Sequence, residues 1–117
     1  INKNIINYKE KKFDLVSSLG VLQNCGLSLN QFYKSICNLT ERKAYVFINF
    51  KTKEWIKFKN IKASELSKIK LYKPDNVKKI FSKKFKLIES GGFDYKKKKK
   101  INSFYSGEYF FIAQKIE

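Results

Sequence analysis

Residues 13–50 read FDLVSSLGVLQNCGLSLNQFYKSICNLTERKAYVFINF, and this stretch decides the fold. Phe13 to Leu22 opens as a strand. Leu15 and Val16 are consecutive and apolar, which suits a strand buried on both faces, as in a parallel sheet. Ser17, Ser18 and Gly20 are small; they let the chain turn and leave room for something to approach the backbone. Ser28 is followed three residues later by Gln31, a capping box, with Leu27 and Phe32 placed for the hydrophobic staple. Leu29, Phe32, Tyr33, Ile36, Cys37 and Leu39 then fall at helical spacing, so a helix is expected over Leu29–Leu39. Ala44 to Phe50 is aromatic, β-branched and almost continuously apolar, the mark of a buried central strand. A strand, a helix and a strand in this order predict parallel strands joined by a right-handed crossover, hence an α/β fold.

Outward from that unit the signals weaken. Residues 1–12 are polar with scattered Ile and give no assignment. Between 51 and 73, EWIKFKNI fits a short strand and SELSKIKLY a single helical turn capped by Ser64. Pro74 suits the first turn of a helix running to about Lys83, with Val77, Ile80 and Phe81 as its apolar stripe. Phe85 to Ser90 reads as a strand that Gly91-Gly92 breaks or bulges, with Phe93 to Tyr95 continuing it. The run Lys96–Lys100 is too charged to bury and is expected as a solvated turn. Tyr109 to Ile116 is a last strand. Its connection to the preceding one leaves no room for a crossover helix, so the pair should be antiparallel.

Composition removes several function classes. The 117-residue chain contains no His, which excludes Ser-His-Asp triads, Cys-His dyads and His-based metal sites. Cys25 and Cys37 have no companion ligands for a zinc site. In a cytoplasmic protein they are expected as buried thiols, with a disulfide between them the alternative. None of the five glycines forms a phosphate-cradling loop. No 18-residue apolar run or signal peptide is present, so no membrane partner is expected. The formal charge of +16 points toward nucleic acid, yet every basic residue but Arg42 is Lys. A dedicated phosphate or guanine reader would be expected to use more Arg. Thirteen Ile and ten Asn accompany the lysines, a joint excess that fits AT-rich coding bias. A basic nucleic-acid-binding α/β module stands as the alternative reading.

The order of segments resembles the second half of a class I S-adenosylmethionine-dependent methyltransferase. FDLVSSLGVLQNCG matches the family's fourth strand and the loop after it, LSLNQFYKSICNL the helix that follows, and AYVFINF the fifth strand. DNVKKIFSKKF, KLIESGGFD and SGEYFFIAQKI match a further helix, the sixth strand and the closing seventh. The family's sheet runs 3-2-1-4-5-7-6 with the seventh strand antiparallel. The resemblance therefore implies a Rossmann-like half-sheet of order 4-5-7-6, its last strand antiparallel, flanked by helices. Residues 1–117 would be a partial domain. The family's glycine-rich loop after its first strand, and the acidic residue ending its second, have no counterpart here. The family's KPGG turn before the fifth strand reads Thr40-Glu41-Arg42-Lys43.

The same resemblance implies S-adenosylmethionine as cofactor and methyl transfer to a small acceptor by a longer parent chain, with this segment inactive alone. Its partner would be the missing amino-terminal half. Ser18, Leu19 and Gly20 would line the methionine and sulfonium part of the cofactor, and Gln23 and Asn24 would face the substrate. Trp55 would belong to a stretch that covers the substrate. The plainer alternatives are a tight strand-to-helix loop at 17–24 and a small satellite core around Trp55, Phe58 and Tyr72. Asp14 lies at the start of its strand, the wrong end for chemistry. Methyl transfer needs little from a protein beyond alignment, because the sulfonium is already activated, so the absence of His is compatible with it.

Overall fold

The computed structural model describes residues 12–19, 21–22, 26–52, 71–94, 99–101 and 108–116. Within them the strands are β1 (Phe13–Ser18), β2 (Thr40–Lys51), β3 (Phe85–Asp94), β4 (Lys99–Ile101) and β5 (Glu108–Lys115), and the helices are α1 (Leu29–Leu39) and α2 (Pro74–Phe81). The strands form one sheet of order β1-β2-β5-β3-β4. β1 and β2 are parallel. β5 enters between β2 and β3 and runs antiparallel to both. β1, β2, β5 and β3 thus reproduce the expected 4-5-7-6 order, and β4 adds a short antiparallel strand outside β3.

The local chemistry of α1 explains its limits. Ser28 Oγ accepts from the Gln31 amide at 3.1 Å, and the Ser28 amide donates to Gln31 Oε1 at 3.0 Å, so two donors at the helix start are satisfied reciprocally. Gly26, with φ of +72°, turns the chain into that cap in the left-handed region that glycine tolerates. At the far end the Thr40 hydroxyl donates to the Ile36 and Cys37 carbonyls, and Lys115 Nζ donates to the Cys37 and Thr40 carbonyls at 2.9 and 3.0 Å. The cation therefore sits at the negative end of the helix. α2 begins at Pro74, whose missing N–H costs nothing in the first turn.

Both helices pack on the same face of the sheet. Alternate residues Val46, Ile48 and Phe50 of β2 and Tyr109, Phe111 and Ala113 of β5 meet Phe32, Tyr33 and Ile36 of α1 and Val77 and Phe81 of α2. Phe81 is the hub of this core. Its ring lies 5.1 Å from those of Tyr33 and Phe111, 5.6 Å from Phe85 and 6.4 Å from Phe32. The opposite face carries the stacked pair Phe47–Phe110, with Tyr45 and Leu15 largely exposed.

Four expectations are corrected. β1 is not buried on both faces: Leu15 is 66% exposed, because β1 lies at the sheet's edge and Leu15 sits on the face opposite the helices. β2 starts at Thr40 rather than Ala44. Its first residues pair with Phe13 through a register shift, and Lys43 takes a φ of +62°. β3 runs through Gly91 and Gly92; its irregularity falls between Leu87 and Glu89 instead. Lys99 and Lys100, expected in a turn, pair with Asp94 and Phe93 in β4. The expectations for residues 1–11, for the strand and turn within 53–70, and for Cys25 fall outside the described residues.

Candidate functional site at the carboxyl end of the parallel strands

In an open α/β sheet the ligand end lies beyond the carboxyl ends of the parallel strands. Here those ends are Ser18 of β1 and the residues closing β2. Ser18 is 5% exposed, and its hydroxyl is buried without a hydrogen-bond partner. Thr52, immediately after β2, is fully buried, and its hydroxyl is unpartnered in the same way. Buried polar groups are normally satisfied, and an orphaned one costs about 1–3 kcal/mol. Two orphans at the carboxyl ends of adjacent parallel strands mark that end as one where polar groups await partners.

The loop after β1 alternates. Ser18 points in, Leu19 is 62% exposed, Val21 is 40% exposed, and Leu22 returns to the core. Two apolar side chains therefore face solvent on either side of Gly20, next to a buried hydroxyl. Such an arrangement can pack an aliphatic chain and offer it one hydrogen bond.

Of the residues singled out in the sequence, Ser18 and Leu19 are brought together at this end. Gly20, Gln23, Asn24 and Trp55 lie outside the described residues. Thr52 and Val21 were not singled out. Thr52 had a signal, a hydroxyl closing an apolar strand, whereas Val21 had none. Asp14 is exposed near the start of β1, away from this end. Among the described residues no group of His, Cys, Asp and Glu could hold a metal ion, and no helix is long and apolar enough to cross a membrane.

The parallel β1–β2 pair and the antiparallel β5 inserted between β2 and β3 give a mixed α/β sheet of order β1-β2-β5-β3-β4 with helices packed on it. Solved structures agree. The chain is similar to N-methyltransferase NodS from Bradyrhizobium japonicum WM9, crystallised with S-adenosyl-L-homocysteine. That match has a TM-score of 0.61 and 12% identity, covering 100% of this chain and 54% of that one. It is also similar to an S-adenosylmethionine-dependent methyltransferase from Clostridium acetobutylicum ATCC 824, with a TM-score of 0.62 and 11% identity, covering 96% of this chain and 62% of that one. At these identities the likeness is one of fold. The chain spans between half and two-thirds of the length of these structures. No protein-family model and no curated protein matches the sequence.

Proposed function

We propose that residues 1–117 are the carboxy-terminal half of a class I methyltransferase domain, and that the protein containing them moves a methyl group from S-adenosylmethionine to a small acceptor in the cytoplasm. The observation that carries this reading is the sheet order, with β5 antiparallel between β2 and β3 and an orphaned Ser18 hydroxyl closing β1. When bound, the cofactor supplies a methyl already activated on sulfonium, so what is asked of the chain is alignment and exclusion of water. Ser18 fits the polar methionine part, because its hydroxyl has no partner inside the protein. Leu19, largely exposed, can pack on the aliphatic chain, and Gly20 is assigned to the same part of the cofactor. Gln23, Asn24 and Trp55 are assigned to the acceptor side.

On this reading the 117 residues alone are inactive. They lack the glycine-rich loop and the ribose-binding carboxylate, and among the described residues β1 pairs on one side only, which leaves its other edge for a strand that the upstream half would supply. Calorimetry with S-adenosylhomocysteine tests it. The isolated chain should give no binding heat, and the chain extended by its upstream coding sequence should bind. In the extended protein, Ser18→Val should weaken binding by roughly tenfold, the worth of one hydrogen bond to a buried group. An extended protein with no glycine-rich loop and no affinity for S-adenosylhomocysteine would overturn the reading.

A further inference from the structure

At the other end of the sheet, β5 finishes, α1 ends and β3 begins, and two open clefts adjoin. One, of about 400 Å³, is lined by Lys83, Lys84, Lys115 and Ile116. The second, of about 430 Å³, shares Lys83 and Lys84 and adds Lys34, Tyr33, Cys37 and two asparagines, Asn30 and Asn38. Among the described residues no carboxylate lines either cleft. Volumes of this order hold small organic ligands.

Three features separate this place from the general lysine coat. Lys115 is held in position by the Cys37 and Thr40 carbonyls, which use two of its three donors and leave one. Lys12 and Lys84 lie close enough to repel it, while the Cys37 thiol and Glu41 act in the opposite sense. The Tyr33 hydroxyl, in a residue only 7% exposed, is buried with the Cys37 thiol beside it, and Tyr33 lines the second cleft. Several lysines, two asparagine amides and a tyrosine hydroxyl lining one pair of clefts are the chemistry that receives phosphate oxygens.

We infer that the joined clefts form a binding site for a run of phosphate groups, such as an inorganic polyphosphate or the backbone of a single-stranded RNA, at the end of the sheet opposite the methyl-transfer site. Lys83 and Lys84 stand on the shared wall and would bridge successive phosphates. Lys115 and Lys34 would hold the two ends. The inference stands apart from the methyltransferase reading, since it uses none of the residues at the carboxyl ends of β1 and β2.

The test is calorimetric titration of the 117-residue chain with sodium tripolyphosphate, repeated with a short single-stranded RNA. Lys83→Ala/Lys84→Ala should weaken tripolyphosphate binding by roughly tenfold or more. Lys73→Ala/Lys79→Ala removes the same charge from exposed positions elsewhere and should leave it nearly unchanged. Tyr33→Phe should weaken it severalfold. Both double variants alter exposed side chains, and circular dichroism should show them folded. If RNA also binds, competes with tripolyphosphate and loses the same factor in the first variant, the phosphates are those of nucleic acid. Tripolyphosphate binding without RNA binding identifies a small polyphosphate. Equal losses in the two double variants, or no binding of tripolyphosphate by the unmodified chain, would overturn the inference.

Discussion

Replacing Phe81 by Ala removes the ring on which both layers converge. Phe81 is 1% exposed and touches rings from α1, β3 and β5 at centroid separations of 5.1 to 6.4 Å. Deleting a buried Phe side chain costs about 3–5 kcal/mol, because transfer energy is lost and a cavity remains. A chain of this length is expected to hold roughly 6–18 kcal/mol in all, so the substitution removes a large share. Urea unfolding followed by fluorescence of Trp55 and by circular dichroism should show a lower midpoint with an unchanged slope. If Phe81→Ala is too unstable to fold, Phe81→Leu keeps the measurement within range. Its double-mutant cycle with Phe111→Leu should return a coupling of about 0.5–1.5 kcal/mol. A loss below about 1 kcal/mol for Phe81→Ala would mean that the cavity closes or that the ring is not enclosed, and the account of the core would fail.

Other outcomes follow from single features. Ser28→Ala breaks the capping box and should cost about 1 kcal/mol by the same unfolding assay. Lys43 holds φ of +62°; Lys43→Gly should stabilise the chain by about 0.5–1 kcal/mol, the relief of left-handed strain less the added freedom of the unfolded state. Gly26→Ala should do the reverse, since its φ is +72° and open space surrounds the position, leaving only backbone strain to act. Burial, followed by the adjacent Cys37 thiol, pushes Tyr33 from 10.0 up to about 12. The folded chain therefore keeps a proton that the unfolded chain has lost between those values, and this contribution to stability, full below pH 10, declines as pH rises toward 12. Lys115 acts in the opposite sense, because burial lowers its pKa and favours the folded state as pH approaches 10.5. Comparing alkaline unfolding of the unmodified chain with Tyr33→Phe isolates the first effect; coincident curves would refute it.

Where one residue type at one spacing sufficed, the sequence was legible. The Ser28–Gln31 pair and the apolar spacing that follows it placed α1 at Leu29–Leu39, and the structure has those bounds. Pro74 likewise marked the start of α2. Legibility failed where an answer depended on which strands lie alongside. Leu15 and Val16 look like a buried pair, but burial of both faces needs a second layer as well as apolar residues. The glycine pair looked like a break, yet between flanking β5 and β4 it stays in register, and the irregularity moved to Leu87–Glu89. The lysines of β4 stand in a strand at the end of the sheet order, a place where charged residues are common. At the candidate site, the small residues after β1 pointed to the end of the sheet where the Ser18 and Thr52 hydroxyls lie buried. That the Ser18 and Thr52 hydroxyls would lack partners depends on three-dimensional packing that spacing does not encode.

The position of β5 bears on how the chain is made. Among the described strands it comes after all the others in the chain, yet it lies inside the sheet and joins β2 on one side to β3 on the other. Until residues 108–115 leave the ribosome, β2 and β3 have no means of meeting, and Phe111 is missing from the ring cluster around Phe81. During translation the parallel β1-α1-β2 crossover must wait on one side, with α2 and β3 reaching it only through the contacts of Phe81 with Phe32 and Tyr33. Final assembly is then a single late event, dominated by contacts distant in sequence, which makes folding slow and exposes apolar strands to aggregation meanwhile. The lysines outside the two clefts are well suited to keeping such a waiting chain dissolved.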